Sequence, residues 1–554
     1  MIDRPGPDEL YFLPLGGTGE IGMNLNLYGH AGRWLMVDLG VTFAEPGLPG
    51  VDLLMADPAF IEERRDDLAG LVLTHAHEDH IGAVGHLWPR LRCPIYATAF
   101  TAAMAAPKLV EAGIEDEVEI IEVPLSGRFT VGPFEIELVT LTHSIPEPNA
   151  LVIRTGAGTV LHTGDWKLDP APLVGDGYDE RALRGLAEAS VLAMVCDSTN
   201  ALIDGDSGSE SEVRAVLMEL VGGLKNRVAV ACFASNVARL ETAAKVAEAH
   251  GRRVALVGRS MQRVYQAARD TGYLADVAPL ISEEHVGLLP RAEVLLLCTG
   301  SQGEPRSALW RIANDEHPNV ALEEGDAAIF SSRIIPGNDV AIFRLQNMLV
   351  RKGVEVITDD QHFIHVSGHP AREELTQMYQ WVRPRIAVPV HGEARHLAEH
   401  ARLAQACQVP EQILGENGAL IRLAPAPAGI VGHVAAGRLA FDGNRLLSLD
   451  SPVLRTRRRL AYNGAAVVTL VIGRDNLFQG DPMICAQGLL DAEAEADKLK
   501  VVAEGVREAL RYLPAVDRRD DETVKEAARL AVRRAFHRML GKKPVTEVHL
   551  VRLQ

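Results

Sequence analysis

The sequence lacks the features that place a protein in a membrane or outside the cell. Among its 554 residues, no apolar run reaches the roughly 18 residues that a membrane-spanning helix needs. The segment Met1–Pro7 has no apolar core, so a secretory signal is not expected there. The six cysteines have no paired spacing, which is typical of small buried residues in a reducing compartment. We therefore expect a cytoplasmic protein with no membrane partner.

Net charge does not decide whether a nucleic acid is a partner. The chain carries 56 lysines and arginines against 74 aspartates and glutamates, a net charge of −18 that at first disfavours a polyanion. From Ser451 to the end, however, 19 basic residues stand against 14 acidic ones. An acidic enzyme can bind a polyanion when metal ions and a local basic groove supply the attraction.

The segment Thr74–His80 concentrates potential metal ligands. It holds three histidines and two carboxylates within seven residues, and it follows the apolar run Leu71–Leu73, which is typical of a buried strand. Imidazole and carboxylate ligands suit zinc, manganese or a similar divalent ion. A polar loop with incidental histidines is the alternative, and the density of ligands disfavours it.

Further candidate ligands lie at or near the ends of later apolar runs: His143, Asp165 and His391. Each alone would more often be structural. Together with the first cluster they make five histidines and two aspartates. Because one zinc ion takes about four ligands, seven fit two ions that share a carboxylate. Two metal ions about 4 Å apart form a clamp for in-line displacement at phosphorus.

The chain changes in character along its length, which predicts about two to four domains. Roughly the first 200 residues resemble a sheet-rich α/β layer structure. After Ser207–Ser209, strands such as Val228–Ala231 alternate with amphipathic helices, the pattern of a parallel sheet. Histidine-rich loops then return at His362–His369, so the first domain is predicted to resume after an insertion. Residues 424–428 and 455–459 mark a later boundary before a small α+β module.

These motifs resemble those of a known family. The segment His75–His80 matches the HxHxDH motif of the metallo-β-lactamase fold, and His143 and Asp165 fit its later motifs. The inserted domain resembles the β-CASP subgroup, and the closest likeness there is to the bacterial ribonuclease J family. The segments that carry this likeness span most of the first 420 residues and are Leu15–Asn24, Phe233–Asn236, Thr299–Pro305, His365–His369 and Pro389–Glu393.

The resemblance implies an α/β fold class. We expect a metallo-β-lactamase αββα sandwich with an inserted β-CASP α/β domain and a small C-terminal α+β domain. The implied boundaries are 1–208 and 358–448 for the two parts of the metallo-β-lactamase domain, 209–357 for the β-CASP domain, 449–462 for a linker and 463–554 for the C-terminal domain.

The resemblance also implies roles for the candidate ligands. Two groups of three side chains would each hold one ion, joined by a bridging carboxylate. The groups are His75, His77 and His143 for one ion, Asp79, His80 and His391 for the other, and Asp165 as the bridge. Asp38, at the end of its strand, would orient a ligand histidine. A turn aspartate is the equally open alternative for Asp38.

A phosphate pocket and a third ion are further implications. In the family, the loop that His365–His369 resembles captures an RNA 5′-monophosphate, and its alternative is a glycine turn with incidental polar groups. The implied substrate contacts are His365, Val366, Ser367, Gly368 and His369, with Ser235 and Asn236 contributing backbone N–H groups. The segment Thr299–Gly303 could face phosphate, although a strand-to-helix turn is the commoner explanation. A structural ion is implied near Gly50, Asp52 and Asp442.

The resemblance thus implies a metal-dependent ribonuclease with 5′→3′ exonuclease and endonuclease activity that favours 5′-monophosphorylated ends and acts in RNA maturation and decay. The predicted cofactors are two divalent ions, zinc or else manganese, and the predicted catalytic residues are Asp79, Asp165 and His369. Asp79 would orient the attacking water, and His369 would stabilise charge or protonate the leaving 3′ oxygen. RNA and further copies of the chain, in a homodimer or higher homo-oligomer, are the expected partners. A small-molecule hydrolase of the same fold and a non-catalytic RNA-binding scaffold are the alternatives.

Overall fold

The structure is a computed structural model that describes residues 4–45, 47–335, 337–491 and 493–553. Met1–Asp3, part of the segment in which no secretory signal is expected, lie outside the described residues. Two compact units form, one from Met1–Thr42 and Met55–Arg438, the other from Phe43–Leu54 and Leu439–Gln554. None of the described helices has both the length and the apolar character needed to cross a bilayer.

The strands are β1 (Leu10–Gly16), β2 (Leu25–His30), β3 (Arg33–Val37), β4 (Val41–Phe43), β5 (Leu53–Ala56), β6 (Leu68–Val72), β7 (Ile95–Ala97), β8 (Ile120–Glu122), β9 (Arg128–Val131), β10 (Phe134–Thr140), β11 (Asn149–Thr155), β12 (Gly158–His162), β13 (Ala193–Asp197), β14 (Val228–Ala231), β15 (Arg253–Val257), β16 (Val294–Cys298), β17 (Ala327–Phe330), β18 (Glu355–Ile357), β19 (Ile386–Val390), β20 (Glu411–Gln412), β21 (Ala419–Ala424), β22 (Gly429–His433), β23 (Arg438–Asp442), β24 (Arg445–Ser448), β25 (Ala465–Ile472), β26 (Met483–Cys485) and β27 (Val545–Arg552).

The helices are α1 (Ala59–Glu62), α2 (Glu78–Ile81), α3 (Val84–Leu91), α4 (Ala99–Ala112), α5 (Glu180–Gly185), α6 (Glu210–Gly223), α7 (Val237–Ala249), α8 (Arg259–Asp270), α9 (Ala308–Ala313), α10 (Asp339–Arg351), α11 (Arg372–Val382), α12 (Ala394–Ala406), α13 (Pro452–Asn463), α14 (Ala496–Arg511) and α15 (Asp521–Leu540).

Two large sheets face each other in the first unit. One has the order β22-β21-β1-β2-β3-β6-β7-β8 and the other β20-β19-β13-β12-β11-β10-β9. Side chains from both sheets, such as Phe12, Val37, Leu151 and Val195, form one buried cluster between them. Strands such as β1 and β13 are buried at every residue, because both of their faces are covered.

Helices cover the outer face of the second sheet. Leu375 and Trp381 of α11, Leu403 of α12 and Leu183 of α5 pack in one buried cluster with Met194 of β13. The two facing sheets with helices outside them match the predicted sandwich, and the predicted fold class is confirmed.

The inserted region is built around a separate parallel sheet in the order β15-β16-β14-β17-β18. Its strands were visible in the sequence because parallel strands that are buried on both faces form continuous apolar runs. The predicted strand Val228–Ala231 is β14, and an amphipathic helix, α7, follows it as expected. Helices α9 and α10 pack on this sheet through residues such as Leu309 and Leu345.

The second unit contains a sheet in the order β26-β25-β27, packed against α14 and α15. Alternate residues of β25 are buried, as expected for a strand with one face on a core. The segment 449–462, predicted as a linker between domains, contains most of helix α13. The Ser451 side chain accepts a hydrogen bond from the Leu454 N–H, and Pro452 occupies the first turn, so the start of the helix is well specified.

Candidate metal centre

The predicted ligands come from both of the facing sheets, and β10, β12 and β19 run in the same direction, so the ligands after them lie at one edge of their sheet. His75–His80 come after β6, His143 after β10, Asp165 after β12 and His391 directly after β19. We use the term metal centre for the seven predicted ligands, His75, His77, Asp79, His80, His143, Asp165 and His391. All seven lie in two groups that share Asp165, and within each group one ligand atom per residue lies within 4.8 Å of the others.

The first group is made of three imidazoles and the shared carboxylate. His77 Nδ1 lies 3.1 Å from His75 Nε2 and 3.0 Å from His143 Nε2. Asp165 Oδ2 is 3.9 Å from His75 Nε2. Each neutral imidazole carries only one proton, so three ring nitrogens that point at one another in a buried site cannot all form hydrogen bonds with each other. They can instead bind one metal ion together.

The second group combines two carboxylates with two imidazoles. Asp79 Oδ2 lies 3.1 Å from His391 Nε2 and 3.5 Å from His80 Nε2. Asp165 Oδ2 lies 3.2 Å from His80 Nε2, so Asp165 contacts both groups. This is the arrangement that a bridging carboxylate requires.

The two groups differ in their preferred protonation. Burial, reinforced by neighbouring imidazoles, holds the pKa of His75 and of His143 well below the usual value. Burial lowers the pKa of His77 to about 4. These three rings are therefore neutral, which is the form that binds a metal. At His80 burial opposes protonation, but the adjacent carboxylates outweigh it and raise the pKa. The carboxylates of the second group also raise the pKa of His391, so they favour positive charge at this place, which a cation can supply instead of protons.

The donor set fits two divalent ions. Among the described residues, the carboxylates of Asp79 and Asp165 form ion pairs only with histidines, so no lysine or arginine occupies the place of a cation. Imidazole nitrogen and carboxylate oxygen suit zinc and manganese.

Asp38 makes the contact predicted for it. His80 Nδ1 donates to Asp38 Oδ2 at 2.7 Å, which turns the other ring nitrogen of His80 towards the metal centre. The Thr74 N–H and hydroxyl in turn donate to Asp38, at 2.8 Å and 2.9 Å. Such a carboxylate fixes the orientation and tautomer of a ligand histidine.

Asp197 is a site residue that the sequence reasoning missed. It is the last residue of β13, and it is buried. His369 Nδ1 donates to Asp197 Oδ2 at 2.8 Å, and His391 Nδ1 lies 3.5 Å from Asp197 Oδ1. Asp197 also forms a group with Asp165, His369 and His391 whose ligand atoms lie within 4.8 Å of one another. Its position at the end of an apolar run was the available signal.

The loop His365–His369 lies directly against the metal centre. His143 Nδ1 donates to the Gly368 carbonyl oxygen, and a Cβ at position 368 would lie 2.6 Å from the His143 ring. Only glycine allows this close approach. The Asn200 amide supports the loop by donating to Ser367 Oγ at 2.7 Å and to the His369 carbonyl at 3.0 Å.

His365 itself has spare hydrogen-bonding capacity. Its Nδ1 is buried and has no hydrogen-bond partner in the part of the chain that the structure describes. Burial, with nearby basic side chains, lowers its pKa to about 3, so the ring is neutral. Val366 is buried and contributes packing. The phosphate-binding role of the loop remains a prediction.

The role predicted for Asn236 has to be corrected. Its N–H donates to the Phe233 carbonyl at 3.1 Å, and its side chain accepts from the Arg239 N–H at the start of α7. The side-chain amide donates to Glu210 Oε1 at 3.1 Å. Asn236 therefore caps a helix and is not free to bind phosphate. Ser235 is only half-buried and makes no side-chain hydrogen bond among the described residues.

The second predicted phosphate loop is a strand-to-helix turn. The Thr299 hydroxyl accepts from the Ala308 N–H at the beginning of α9. The Gln302 amide donates to the Arg333 carbonyl at 2.8 Å. These contacts use the polar groups of Thr299–Gly303 inside the inserted domain, which favours the structural alternative.

A third ion is not favoured by the contacts of Asp442. Arg457 Nη1 donates to Asp442 Oδ1 at 2.7 Å, and Arg445 Nη2 donates to Asp442 Oδ2 at 3.0 Å. We call these three residues the Asp442 cluster. A Cβ at Gly50 would lie 3.2 Å from Arg457 Nη1, so a guanidinium occupies the space beside Gly50, and Asp52 is exposed. The predicted ion has no vacant carboxylate at Asp442.

Comparison with known families agrees with this architecture. The description "Ribonuclease J, beta-CASP domain" matches residues 225–349, and "Metallo-beta-lactamase superfamily" matches residues 23–195. Residues 353–412 match a "Zn-dependent metallo-hydrolase RNA specificity domain", and residues 452–553 match "Ribonuclease J C-terminal domain".

Individual relatives extend over nearly the whole chain. Ribonuclease J of Sinorhizobium meliloti is 46% identical, with 100% of this chain and 99% of the relative covered. Ribonuclease J of Mycolicibacterium smegmatis is 41% identical over 95% and 94% of the two chains. A crystal structure of an Enterococcus faecalis protein of unknown function shares the fold over 75% of this chain and all of its own, with a TM-score of 0.51 and 17% identity. The chain therefore belongs to the ribonuclease J family, and both the family and the class of enzyme predicted from its sequence, a metal-dependent ribonuclease, are confirmed.

Proposed function

We propose that this protein degrades and matures RNA by combining 5′→3′ exonuclease activity with endonuclease activity, and that it favours 5′-monophosphorylated ends. The observation that carries the proposal is the contact between the Gly368 carbonyl and His143. It holds the loop His365–His369 directly beside the metal centre. A terminal phosphate bound by this loop would fix the position of the first nucleotides relative to the ions, and so determine which bond is cut.

The residues of the metal centre fit two divalent ions. Zinc is the preferred ion for a site with five imidazoles, and manganese is the alternative. When bound, the two ions would polarise the phosphodiester as Lewis acids and increase the acidity of a water molecule.

The side chains of the protein position the reacting groups. We assign Asp79 to orienting the attacking water, because its carboxylate accepts from His391 and stands at the solvent-accessible side of the second group. Asp197 holds His369 Nδ1, which leaves Nε2 of that ring to protonate the departing 3′ oxygen. The products would carry a 5′-phosphate and a 3′-hydroxyl. The new 5′ end would then be a substrate again, which supports processive action.

Location and assembly complete the proposal. We infer action in the cytoplasm, where the free and mostly buried cysteines would stay reduced. We also infer a homodimer or higher homo-oligomer. Size measurement in solution, at several protein concentrations, tests the assembly.

The decisive experiment compares RNAs that differ only at the 5′ end. The purified metal-loaded protein is incubated with 5′-monophosphorylated and 5′-hydroxyl copies of one RNA, and products are resolved by length. We expect mononucleotides from the first and mainly internal fragments from the second. Ser367→Ala should reduce this difference, whereas Asp79→Ala with His80→Ala should abolish both reactions. A wild-type protein that holds its metal but cleaves neither RNA contradicts the proposed function.

A further inference from the structure

Helix α13 has two unlike faces. Leu454 is buried, and Arg457, three residues further on, is paired with Asp442 within the same unit. These two residues define the packed face. The exposed side of the helix carries residues spaced three and four apart, which are neighbours on a helix. We call them the arginine stripe, and they are Arg455, Arg458, Arg459 and Tyr462.

The arginines of the stripe have no acidic partners. Arg455, Arg458 and Arg459 are exposed, and none of them forms an ion pair within the described ranges of the chain. The helix itself, Pro452–Asn463, contains no acidic residue. Like charges three and four residues apart destabilise a helix, so this pattern has a cost in the absence of a partner.

Other helices of the same unit are built differently. In α14, Lys498 and Lys500 each pair with an acidic residue three positions earlier. In α15, Lys525 and Arg529 do the same. Helix α13 has no such acidic partners, so its three exposed arginines leave a concentration of unpaired positive charge among the described residues. Such a surface suits an external anion.

An aromatic ring and further cations complete the surface. Tyr462 is 74% exposed, and Lys542 Nζ lies 4.9 Å from the centre of its ring. Lys542 Nζ also donates to the Tyr462 carbonyl at 2.5 Å, which fixes the loop Gly541–Pro544 at the end of the helix. Lys543 follows in that loop and is exposed. The surface therefore combines several cations with one accessible aromatic face.

We propose that the arginine stripe binds single-stranded RNA. The guanidinium groups would hold backbone phosphates, and a base would stack on Tyr462. This inference rests on the proposed function, because it adds a second contact for the same substrate. RNA is favoured over other polyanions because an extended RNA strand offers both repeating phosphates and bases to stack on an aromatic ring. The contact is independent of sequence, and it adds affinity for long RNA.

The test compares two substrates that share their first nucleotides. Both carry a 5′-monophosphate. The short RNA of about 6 nucleotides fills the active site but leaves too few nucleotides for a second stacking surface, whereas the long RNA of about 40 nucleotides leaves enough. The variant Arg455→Gln with Arg458→Gln and Arg459→Gln should lower kcat/KM on the long RNA roughly 10- to 100-fold. On the short RNA, kcat/KM should stay at the wild-type value. Tyr462→Leu should lower the long-RNA value about 5-fold or more.

Salt dependence gives a second readout. For single-stranded nucleic acid, each phosphate contact contributes about 0.7 to the slope of log affinity against log salt. The triple variant should therefore reduce the slope of log kcat/KM on the long RNA by about 2. Matched controls remove equal charge or an equal ring elsewhere in the same unit. They are Arg474→Gln with Arg511→Gln and Arg519→Gln for the triple variant, and Tyr512→Leu for Tyr462→Leu, since Tyr512 is 77% exposed.

Each outcome has a definite meaning. Equal losses in the stripe variant and its control, or equal losses on short and long RNA, overturn the proposal. Binding of wild-type protein to phosphatidylserine-containing vesicles through the stripe, with no effect on RNA, would also overturn it. If wild-type protein cleaves neither RNA, the proposed function fails. Fluorescence anisotropy with the intact long RNA then still decides whether the stripe binds it. Circular dichroism and melting temperature confirm that the variants fold.

Discussion

The metal centre and the Asp442 cluster were both predicted to bind ions, yet their acidic residues are neutralised in opposite ways. In the metal centre, Asp79 and Asp165 face imidazole nitrogens, and no lysine or arginine pairs with them among the described residues. In the Asp442 cluster, two guanidinium groups occupy both carboxylate oxygens. The hydrogen bonds from Arg457 and then from Arg445 lower the pKa of Asp442 to about 2. An aspartate near a turn is a good candidate for a metal ligand only when no lysine or arginine of the chain pairs with its carboxylate.

The largest effect is expected from replacing Asp165, the carboxylate that both groups of the metal centre share. Asp165→Asn keeps the shape of the side chain but removes the charge that both groups share. Activity on RNA should fall by more than the ~10–100-fold typical of losing a residue outside the ligand shell. The measurement is kcat/KM together with metal content. A variant that keeps wild-type activity and both ions would show that Asp165 is not the bridge.

The second prediction concerns a buried ion pair near the metal centre. Arg239 and Glu210 form a fully buried pair with Nη2–Oε2 at 3.0 Å, and Arg239 also donates to the Ile364 carbonyl, next to the loop His365–His369. Arg239→Met leaves Glu210 buried and unpaired. It should cost about 3–5 kcal/mol of unfolding free energy, measured from the shift of the urea midpoint.

The double variant sharpens this result. Arg239→Met with Glu210→Met removes both charges, so it should be less destabilising than Arg239→Met alone. As a less buried comparison, Arg457→Met in the Asp442 cluster should lower the unfolding free energy less than Arg239→Met does, because solvent reaches the Arg457 side chain and can partly replace the lost pairing. If the single and double variants at the buried pair are equally destabilised, unpaired charge is not the cause.

The third prediction concerns Asp38, which is not a proposed metal ligand but orients the ligand His80. Asp38→Ala removes the acceptor for His80 Nδ1 and leaves every proposed ligand in place. We expect a ~10–100-fold loss of metal affinity, seen by titration with a competing chelator. Asp38→Asn can still accept through its amide oxygen and should lose less. Identical affinities of wild type and Asp38→Ala would contradict an orienting role.

Local patterns were enough to predict much of the fold and to single out the residues that meet in the metal centre. The apolar run Val228–Ala231 located β14, and each predicted ligand stood near the end of an apolar run, at strand ends that the two facing sheets bring together. The sequence motif also made the glycine at position 368 conspicuous, and the close approach to His143 explains it.

Long-range partners account for the errors. Asp197 gains its role from His369, which lies 172 residues away, and nothing local marks that contact. Asn236 is not available to the predicted pocket, because it donates to Glu210 and caps the start of helix α7. At the place predicted for a third ion, Asp442 pairs with Arg457, 15 residues later in helix α13. Pairing choices of this kind depend on the folded arrangement and not on spacing.

The most direct test of the account counts metal ions per chain. Protein purified in the presence of zinc and manganese is desalted, and its metal content is measured by mass spectrometry. We predict two ions in wild type and two in Asp442→Asn, with fewer in His143→Ala and in His391→Ala. Three ions in wild type and two in Asp442→Asn would contradict the contrast between the two clusters. Two ions retained in both histidine variants would contradict the metal centre itself.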